Sequence, residues 1–237
     1  MQRANTVPKT QVPKTQVLVN LLWCVPGQVG GSEEYLVRQL LGLFEQPEQR
    51  WTITAAVARG LVTAHPELST VERLVEPNFD SANRVRRILG EATWLRRAST
   101  GAALVHHGGG TAPLRARSPY VLTVHDLQFR TYPDYFSRKK RAYLAATIPR
   151  SVRGAAVVTV PSAYVRDCVI EAYGAKPERV LVVPHGVEPA LIDNMTPPDV
   201  LRERIMDPIG ASRDWEWHGY STSWVEIGGK RIQSVSG

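Results

Sequence analysis

Short apolar runs alternate with amphipathic stretches between residues 17 and 188, and few folds accept this alternation. Seven of the runs have the length of buried strands: Val17–Cys24, Thr52–Ala58, a weaker one near Arg73–Val75, Ala103–His106, Tyr120–Val124, Ala155–Val160 and Val180–Val183. Strands that alternate with helices predict an α/β domain with a doubly wound, mostly parallel, Rossmann-like sheet. Ligands on such sheets bind at the carboxyl ends of the strands, so the informative loops follow Cys24, His106, Val124, Val160 and Val183.

Four helices are expected between these strands. Ser32 is the expected N-cap of the first, whose apolar positions recur at helical spacing: Leu36, Val37, Leu40, Leu41 and Phe44. The second covers Ala82–Ala98, with an inner side formed by Val85, Ile88, Leu89 and Leu95. The third covers Phe136–Val152, where Pro149 should kink the helix or end it early, and Ser162 should cap the fourth.

Composition narrows the class of protein. The chain has 237 residues, of which 43% are hydrophobic, enough for one well-buried domain with tails or for two small domains. The sequence contains no apolar run long enough to span a bilayer and no signal-peptide pattern, and we expect Cys24 and Cys168 to be buried free thiols. These features predict a cytoplasmic protein, and the net charge of +7 would allow contact with the inner face of a membrane.

Three segments are expected. Residues 1–16 form a mobile leader that contains a direct repeat of Val-Pro-Lys-Thr-Gln. Residues 17–188 form the Rossmann-like domain. Residues 189–237 form a tail with a short helix near Val200–Met206, irregular structure beyond Gly210 and a hairpin around Gly228-Gly229.

The loop after the first strand is rich in glycine and leads into a helix. Gly30 and Gly31 allow a ligand to approach the backbone, and the helix N-terminus at Ser32 and Glu33 suits a phosphate. The spacing is neither the dinucleotide fingerprint nor a P-loop, and a tight turn without a ligand explains it equally well.

Histidines follow two of the other strands. His125 can donate to a hydroxyl or phosphate oxygen, and Asp126 either orients its imidazole or caps the next turn. A purely structural His–Asp pair is the alternative. His106 and His107 precede Gly108-Gly109-Gly110, which predicts a flexible loop at the rim of a cleft. No metal site is expected there, because neighbouring strand residues face opposite ways.

The ordered set of motifs is more specific than any one of them. It comprises Gly-Gly-Ser-Glu after the first strand, Val-His-Asp-Leu, Val-Pro-Ser-Ala-Tyr-Val-Arg-Asp, and a final segment from Tyr173-Gly174 to Val183-Pro184-His185-Gly186-Val187-Glu188. Over roughly Val17 to Glu188 this set resembles the N-terminal, acceptor-side domain of the family-four retaining glycosyltransferases, which have the glycosyltransferase-B fold.

The resemblance implies two Rossmann-like domains, transfer of a hexosyl group from a nucleoside-diphosphate sugar with retention, and no cofactor or metal. It assigns His125 as the catalytic-site histidine that contacts the donor sugar, and Gly30 and Gly31 as the loop near the donor phosphates. Ser32, Glu33, His106, His107 and Asp126 would line the acceptor side or the cleft. His185 and Gly186 would begin the interdomain hinge, where the family more often has Asn in place of His185.

The residues after the hinge do not resemble the donor-binding domain of that family, which predicts a truncated chain. Because the leaving diphosphate must be stabilised during transfer, we expect little or no activity from the chain alone. The implied partners are a nucleotide-sugar donor and a glycan or lipid-linked acceptor.

Other functions remain open. A non-catalytic module could bind a glycan or anionic lipid through the basic residues Arg138–Arg141, together with a separate partner. Nucleic-acid binding is not expected, since the basic residues are not interleaved with aromatic ones on a recognisable module. A nicotinamide-dependent oxidoreductase is disfavoured by the missing glycine fingerprint. Self-association is expected if the missing domain leaves apolar surface uncovered.

Overall fold

The computed structural model describes residues 15–29, 31–45, 51–71, 73–117, 119–185, 222–227 and 230–235. Its strands are β1 (Thr15–Leu21), β2 (Trp51–Val57), β3 (Leu74–Val75), β4 (Leu104–His107), β5 (Tyr120–Thr123), β6 (Val157–Val160), β7 (Val180–Val182), β8 (Thr222–Ile227) and β9 (Lys230–Val235). Its α-helices are α1 (Gly31–Phe44), α2 (Leu61–Ala64), α3 (Arg84–Gly90), α4 (Arg96–Ala98), α5 (Gln128–Thr131), α6 (Arg138–Gly154) and α7 (Ala163–Tyr173). The chain divides into two compact units, Met1–Gly186 and Val187–Gly237.

The first unit contains a seven-stranded sheet with the order β3-β2-β1-β4-β5-β6-β7. Every neighbouring pair in this sheet is parallel. The predicted doubly wound, Rossmann-like sheet is therefore confirmed. The strand order reverses between β1 and β4, which is where ligands bind to sheets of this type.

Two apolar cores cover the two faces of this sheet. Residues of β1 and the residue that follows it alternate between them, as the pleat of a strand requires: Leu18 and Leu22 belong to one core, Val19 and Leu21 to the other. The first core is completed by residues of α6 and α7, among them Ile148, Val152, Val165 and Val169. The second is completed by residues of α1 and α2, among them Leu36, Val37, Leu40 and Leu61.

Polar side chains fix the start of several helices. Ser162 Oγ accepts a hydrogen bond from the Val165 amide at 3.3 Å, so the predicted cap of α7 is confirmed. Asn83 and Ser137 cap α3 and α6 in the same way. The prediction for Ser32 is wrong by two positions, because α1 already begins at Gly31 and Ser32 lies within its first turn.

The second predicted helix is interrupted by a π-helical segment, Glu91–Leu95, which joins α3 to α4. Leu95 is buried as expected, but Val85 and Leu89 are exposed, with 67% and 59% of their surface accessible. Their assignment to the inner side is therefore wrong. A π-helical turn contains more than the 3.6 residues of an α-helical turn. Apolar residues at α-helical spacing before and after it therefore do not lie on one side of the helix.

Pro149 was expected either to kink α6 or to end it early. It does not end the helix early, since α6 continues from Arg138 to Gly154. Proline cannot donate a hydrogen bond to the carbonyl group four residues earlier, that of Ala145. Ala145 is an exposed residue of α6, and carbonyl groups on the solvent side of a helix can bond to water instead.

The second unit contains the predicted hairpin. Strands β8 and β9 pair antiparallel, with Ile227 opposite Lys230. The predicted leader and the short helix near Val200–Met206 lie outside the described residues, apart from Thr15 and Gln16, which begin β1. None of the described helices is long and apolar enough to cross a membrane.

Candidate functional site

The carboxyl ends of β1, β4 and β5 lie side by side where the strand order reverses. The register pairs Asn20 of β1 with His107 of β4, and His107 with Leu122 of β5. The loops that begin at Leu22, Gly108 and Val124 therefore leave the sheet at the same edge. This edge is the candidate functional site.

His125 is held at this edge by the backbone of the neighbouring loop. Its Nε2 donates to the Gly108 carbonyl oxygen at 2.8 Å, so Nε2 carries the proton of the neutral ring. Nδ1 is buried and has no hydrogen-bond partner within the described part of the chain. Burial lowers the pKa of His125 below its ordinary value, and the hydrogen bond to Gly108 partly opposes this. The imidazole is therefore neutral at pH 7 and offers Nδ1 as an acceptor.

Three aromatic residues surround His125, and we call the four rings the aromatic cluster: Trp23, Tyr35, His125 and His185. The ring centroids of Trp23 and Tyr35 lie 5.8 Å and 5.9 Å from that of His125. His185 stacks on Tyr35 with centroids 4.1 Å apart and lies 6.4 Å from His125. The rings of the loop after β1, of α1 and of the segment after β7 thus meet at one place.

Trp23 and Tyr35 were not identified from the sequence. Trp23 follows β1 by two residues, and Tyr35 lies in the second turn of α1. Aromatic side chains just beyond a strand end are a signal that could have indicated them. Tyrosine and tryptophan at such positions are as often core residues, so spacing alone would not have decided it.

The glycines after β4 make room for this cluster. A Cβ atom at Gly109 would lie 2.5 Å from the indole of Trp23, and one at Gly108 would lie 2.8 Å from Leu36. Gly110 adopts a φ of 75°, a conformation that favours glycine. The three-glycine segment is therefore a close-packed seat for Trp23 and α1, rather than only a flexible rim.

Asp126 does not hydrogen bond to His125. Its Oδ1 accepts from the Gln128 amide at 2.9 Å, at the start of α5. Of the two roles left open by the sequence, the structure supports the cap of the next turn.

The glycine-rich loop after β1 is closed by a buried carboxylate. Glu33, in the first turn of α1, accepts from the Gly27 amide at 3.2 Å and from His65 Nε2 at 2.9 Å. Glu33 is 9% exposed, so it ties this loop to the residue after α2 and does not face an open cleft. Gly31 and Ser32 lie at the accessible N-terminus of α1, and Gly30 lies outside the described residues.

The two histidines of β4 face opposite sides of the sheet, as expected. His106 Nε2 hydrogen bonds to Thr123 Oγ1 at 2.8 Å, and burial with the nearby His125 lowers the pKa of His106 to about 4. His107 is 1% exposed, and burial lowers its pKa to about 3. The expectation that His107 lies at a cleft rim is therefore wrong, because its ring is packed in the core against Tyr120 at 5.3 Å.

The cysteines are both free thiols. Cys24 is buried, and this burial, with the nearby Glu33, raises its thiol pKa to about 12. Cys168 is only half-buried. Within the described residues, no group of three or more His, Cys, Asp or Glu side chains could hold a metal ion.

Of the two residues predicted to begin the hinge, the structure describes His185. His185 is exposed and lies in the aromatic cluster, stacked on Tyr35. Gly186 lies outside the described residues. The sequence analysis assigned His125 and His185 to different loops and different roles, and the structure brings their two rings together.

Comparison with solved structures supports the fold. The crystal structure of Anabaena Alr3699/HepE in complex with UDP and glucose is 19% identical, with a TM-score of 0.50 over 81% of this chain and 50% of its own. A glycosyltransferase from Rickettsia africae ESF-5 is 18% identical, with a TM-score of 0.44 over 86% of this chain and 51% of its own. The chain spans about half the length of these proteins.

A comparison with curated proteins gave no match. The pattern of Glycosyltransferase Family 4 matches residues 29–191, which is more than half of the 237 residues. This match includes α1, the glycines after β4, His125 and His185. It agrees with the expected N-terminal half of a glycosyltransferase-B fold. This chain belongs to glycosyltransferase family 4.

Proposed function

We propose that this chain is the acceptor-side half of a retaining hexosyltransferase that uses a nucleoside-diphosphate sugar. The observation that carries the proposal is the position of His125, at the strand ends where the order reverses, in a chain of this family. The UDP and glucose bound by the Anabaena protein support a nucleotide-sugar donor. The acceptor would be a glycan or a lipid-linked sugar.

Each site residue has a proposed role. His125 contacts the donor sugar. Its neutral imidazole can accept a hydrogen bond from a sugar hydroxyl at Nδ1, which requires that the buried Nδ1 edge of the ring become exposed. The loop at Gly30 and Gly31 lies against the donor phosphates, with Ser32 near the amide groups of the α1 N-terminus. His185 and Gly186 begin the hinge to a donor-binding domain.

The same proposal predicts very low activity of the isolated chain. Transfer with retention requires stabilisation of the leaving diphosphate, usually by basic side chains or a metal. The N-terminus of α1 and one neutral histidine supply little of this charge. Residues 17–188 are proposed as the acceptor-side domain, with residues 1–16 as its leader. The proposed location is the cytoplasm.

Calorimetry of the purified chain tests the donor side of the proposal. We expect no measurable binding of nucleoside diphosphates or nucleotide-sugars, and no turnover, from a chain that circular dichroism shows to be folded. Micromolar binding of one nucleotide-sugar together with transfer would contradict the inactive-half proposal.

A second function is favoured by the N-terminal turn of α6. Arg138, Lys139, Lys140 and Arg141 follow one another there, Tyr135 is 83% exposed, and Lys140 Nζ lies 4.8 Å from the centre of the Phe136 ring. Basic residues beside an exposed aromatic ring suit an anionic membrane surface. A non-catalytic module that binds anionic lipid or glycan with a separate partner would use this surface.

Sedimentation with vesicles separates the two functions. If the lipid-binding module is correct, the chain binds vesicles that contain phosphatidylglycerol, and binding falls steeply as salt is raised. The double variant Lys139→Gln/Lys140→Gln would then lose binding, whereas Arg84→Gln/Arg86→Gln, with the same change of charge, would keep it. Equal binding by both variants would contradict a surface at α6.

A further inference from the structure

Beneath the candidate site, Asn20 and His107 form a buried polar pair between the two strands at which the order reverses. They are opposite one another in the register of β1 and β4. Asn20 is 2% exposed and His107 is 1% exposed. Buried polar side chains are costly unless they are hydrogen bonded, so the bonds they make are informative.

The bonds of Asn20 determine the proton position on His107. Asn20 Oδ1 accepts from the Leu22 amide at 3.1 Å, which assigns the other end of the amide as the donor Nδ2. Asn20 Nδ2 lies 3.2 Å from His107 Nδ1, which must then be the acceptor. The proton of the neutral ring is therefore on Nε2, which is buried and has no hydrogen-bond partner in the described ranges.

A third buried group comes from the π-helical segment. Glu91 is 7% exposed and lies near Asn20, whose side chain favours the ionised form of the carboxyl group. The π-turn places this carboxyl group against the end of β1, and such turns often occur at functional sites.

The pair connects directly to the residues of the candidate site. The Leu22 amide that Asn20 holds begins the loop that carries Trp23, and Trp23 packs on Gly109. His107 precedes Gly108, whose carbonyl oxygen receives the hydrogen bond of His125. We propose that Asn20 and His107 are positioning residues that fix the ends of β1 and β4 and thereby hold the Gly108 carbonyl group under His125. This inference rests on the proposed function in one respect, which is that the proposed function gives His125 its role.

The test compares two replacements of His107 by NMR of the full chain. His107→Asn keeps an acceptor near the position of Nδ1, whereas His107→Leu fills the buried space and removes the acceptor. In the wild type we expect the pKa of His125 to be below 6.5. In His107→Leu the pKa of His125 should rise measurably, because burial is the larger influence on it and the lost hydrogen bond to Gly108 is the smaller. In His107→Asn it should stay at the wild-type value.

A purely structural pair would behave differently. It would lower the melting temperature of His107→Leu and leave the pKa of His125 unchanged, and that result would overturn the proposal. Nitrogen-15 shifts of the wild-type chain give a second test that needs no variant: a proton on His107 Nδ1 instead of Nε2 would also overturn it. Neither readout uses a sugar ligand, so a failure of the proposed function would appear separately, as missing ligand binding.

Discussion

The contact between Gly109 and Trp23 shows how closely the site is packed at the level of single residues. A Cβ at Gly109 would lie 2.5 Å from the indole ring, which is closer than such contacts occur. Trp23 is in turn 5.8 Å from His125, ring centre to ring centre. A small change at Gly109 should therefore reach the aromatic cluster.

We predict that Gly109→Ala lowers the free energy of unfolding by about 1–3 kcal/mol, because the added methyl group overpacks the seat of Trp23. Urea unfolding followed by tryptophan fluorescence measures this. Gly42→Ala is the matched control, since nothing lies within 4 Å of a Cβ there, and it should be neutral or add up to about 1 kcal/mol in the middle of α1. Equal effects of the two changes would show that the Trp23 contact is not tight.

The sequence predicted some of the site residues and missed others for a physical reason. His125 and the glycines lie at strand ends, and strand ends follow from local apolar patterns. The bond from His65 to Glu33 and the stack of His185 on Tyr35 join residues far apart in the chain. No local pattern contains the information that these side chains meet.

Among the secondary-structure elements, the π-helical segment departs most from its sequence pattern. Burial of Glu91 raises its pKa from 4.5 to about 7, and the nearby Arg87 and Asn20 side chains partly oppose this rise. Between these values the folded chain keeps a proton that the unfolded chain has lost. The corresponding stabilisation is complete below pH 4.5 and is lost as the pH rises through 7.

We predict that Glu91→Gln removes this dependence. The unfolding free energy of the wild type, taken relative to the variant, should fall by about 3 kcal/mol between pH 4.5 and pH 8. Urea titrations at several pH values measure the difference, in which the opposing contributions of His106 and His107 cancel. The control Glu178→Gln, at an exposed position, should run parallel to the wild type. A parallel course for Glu91→Gln would show that Glu91 is ionised and solvated in the folded chain.

At the scale of the whole molecule, the strands were predicted within a few residues, because each is a continuous apolar run. The order of the strands in the sheet could not be predicted in the same way, since alternating strands and helices are compatible with several parallel strand orders. The order β3-β2-β1-β4-β5-β6-β7 is what brings the loops of β1, β4 and β5 together. The site is thus a property of the topology more than of any single motif.

The prediction of self-association is based on the edge strand β7. Leu181 and Val182 are 49% and 39% exposed on this strand, and exposed apolar edge strands pair with other chains. We predict concentration-dependent association in sedimentation velocity, which Leu181→Lys abolishes. Leu114→Lys, at a loop residue that is 70% exposed, should leave it unchanged. A wild-type chain that stays monomeric at high concentration would contradict the prediction.

The central claim, that the strand ends around His125 form the acceptor side of a glycosyltransferase, is tested most directly by mapping saccharide binding. A nitrogen-15-labelled chain would be titrated with mono- and disaccharides, and with simple lipid-linked sugar analogues, while its amide shifts are followed. We expect the perturbed amides to cluster in residues 22–29, 108–111 and 125–127, and His125→Ala to weaken the response. Perturbations confined to the N-terminal turn of α6, or an unchanged response in His125→Ala, would contradict the account.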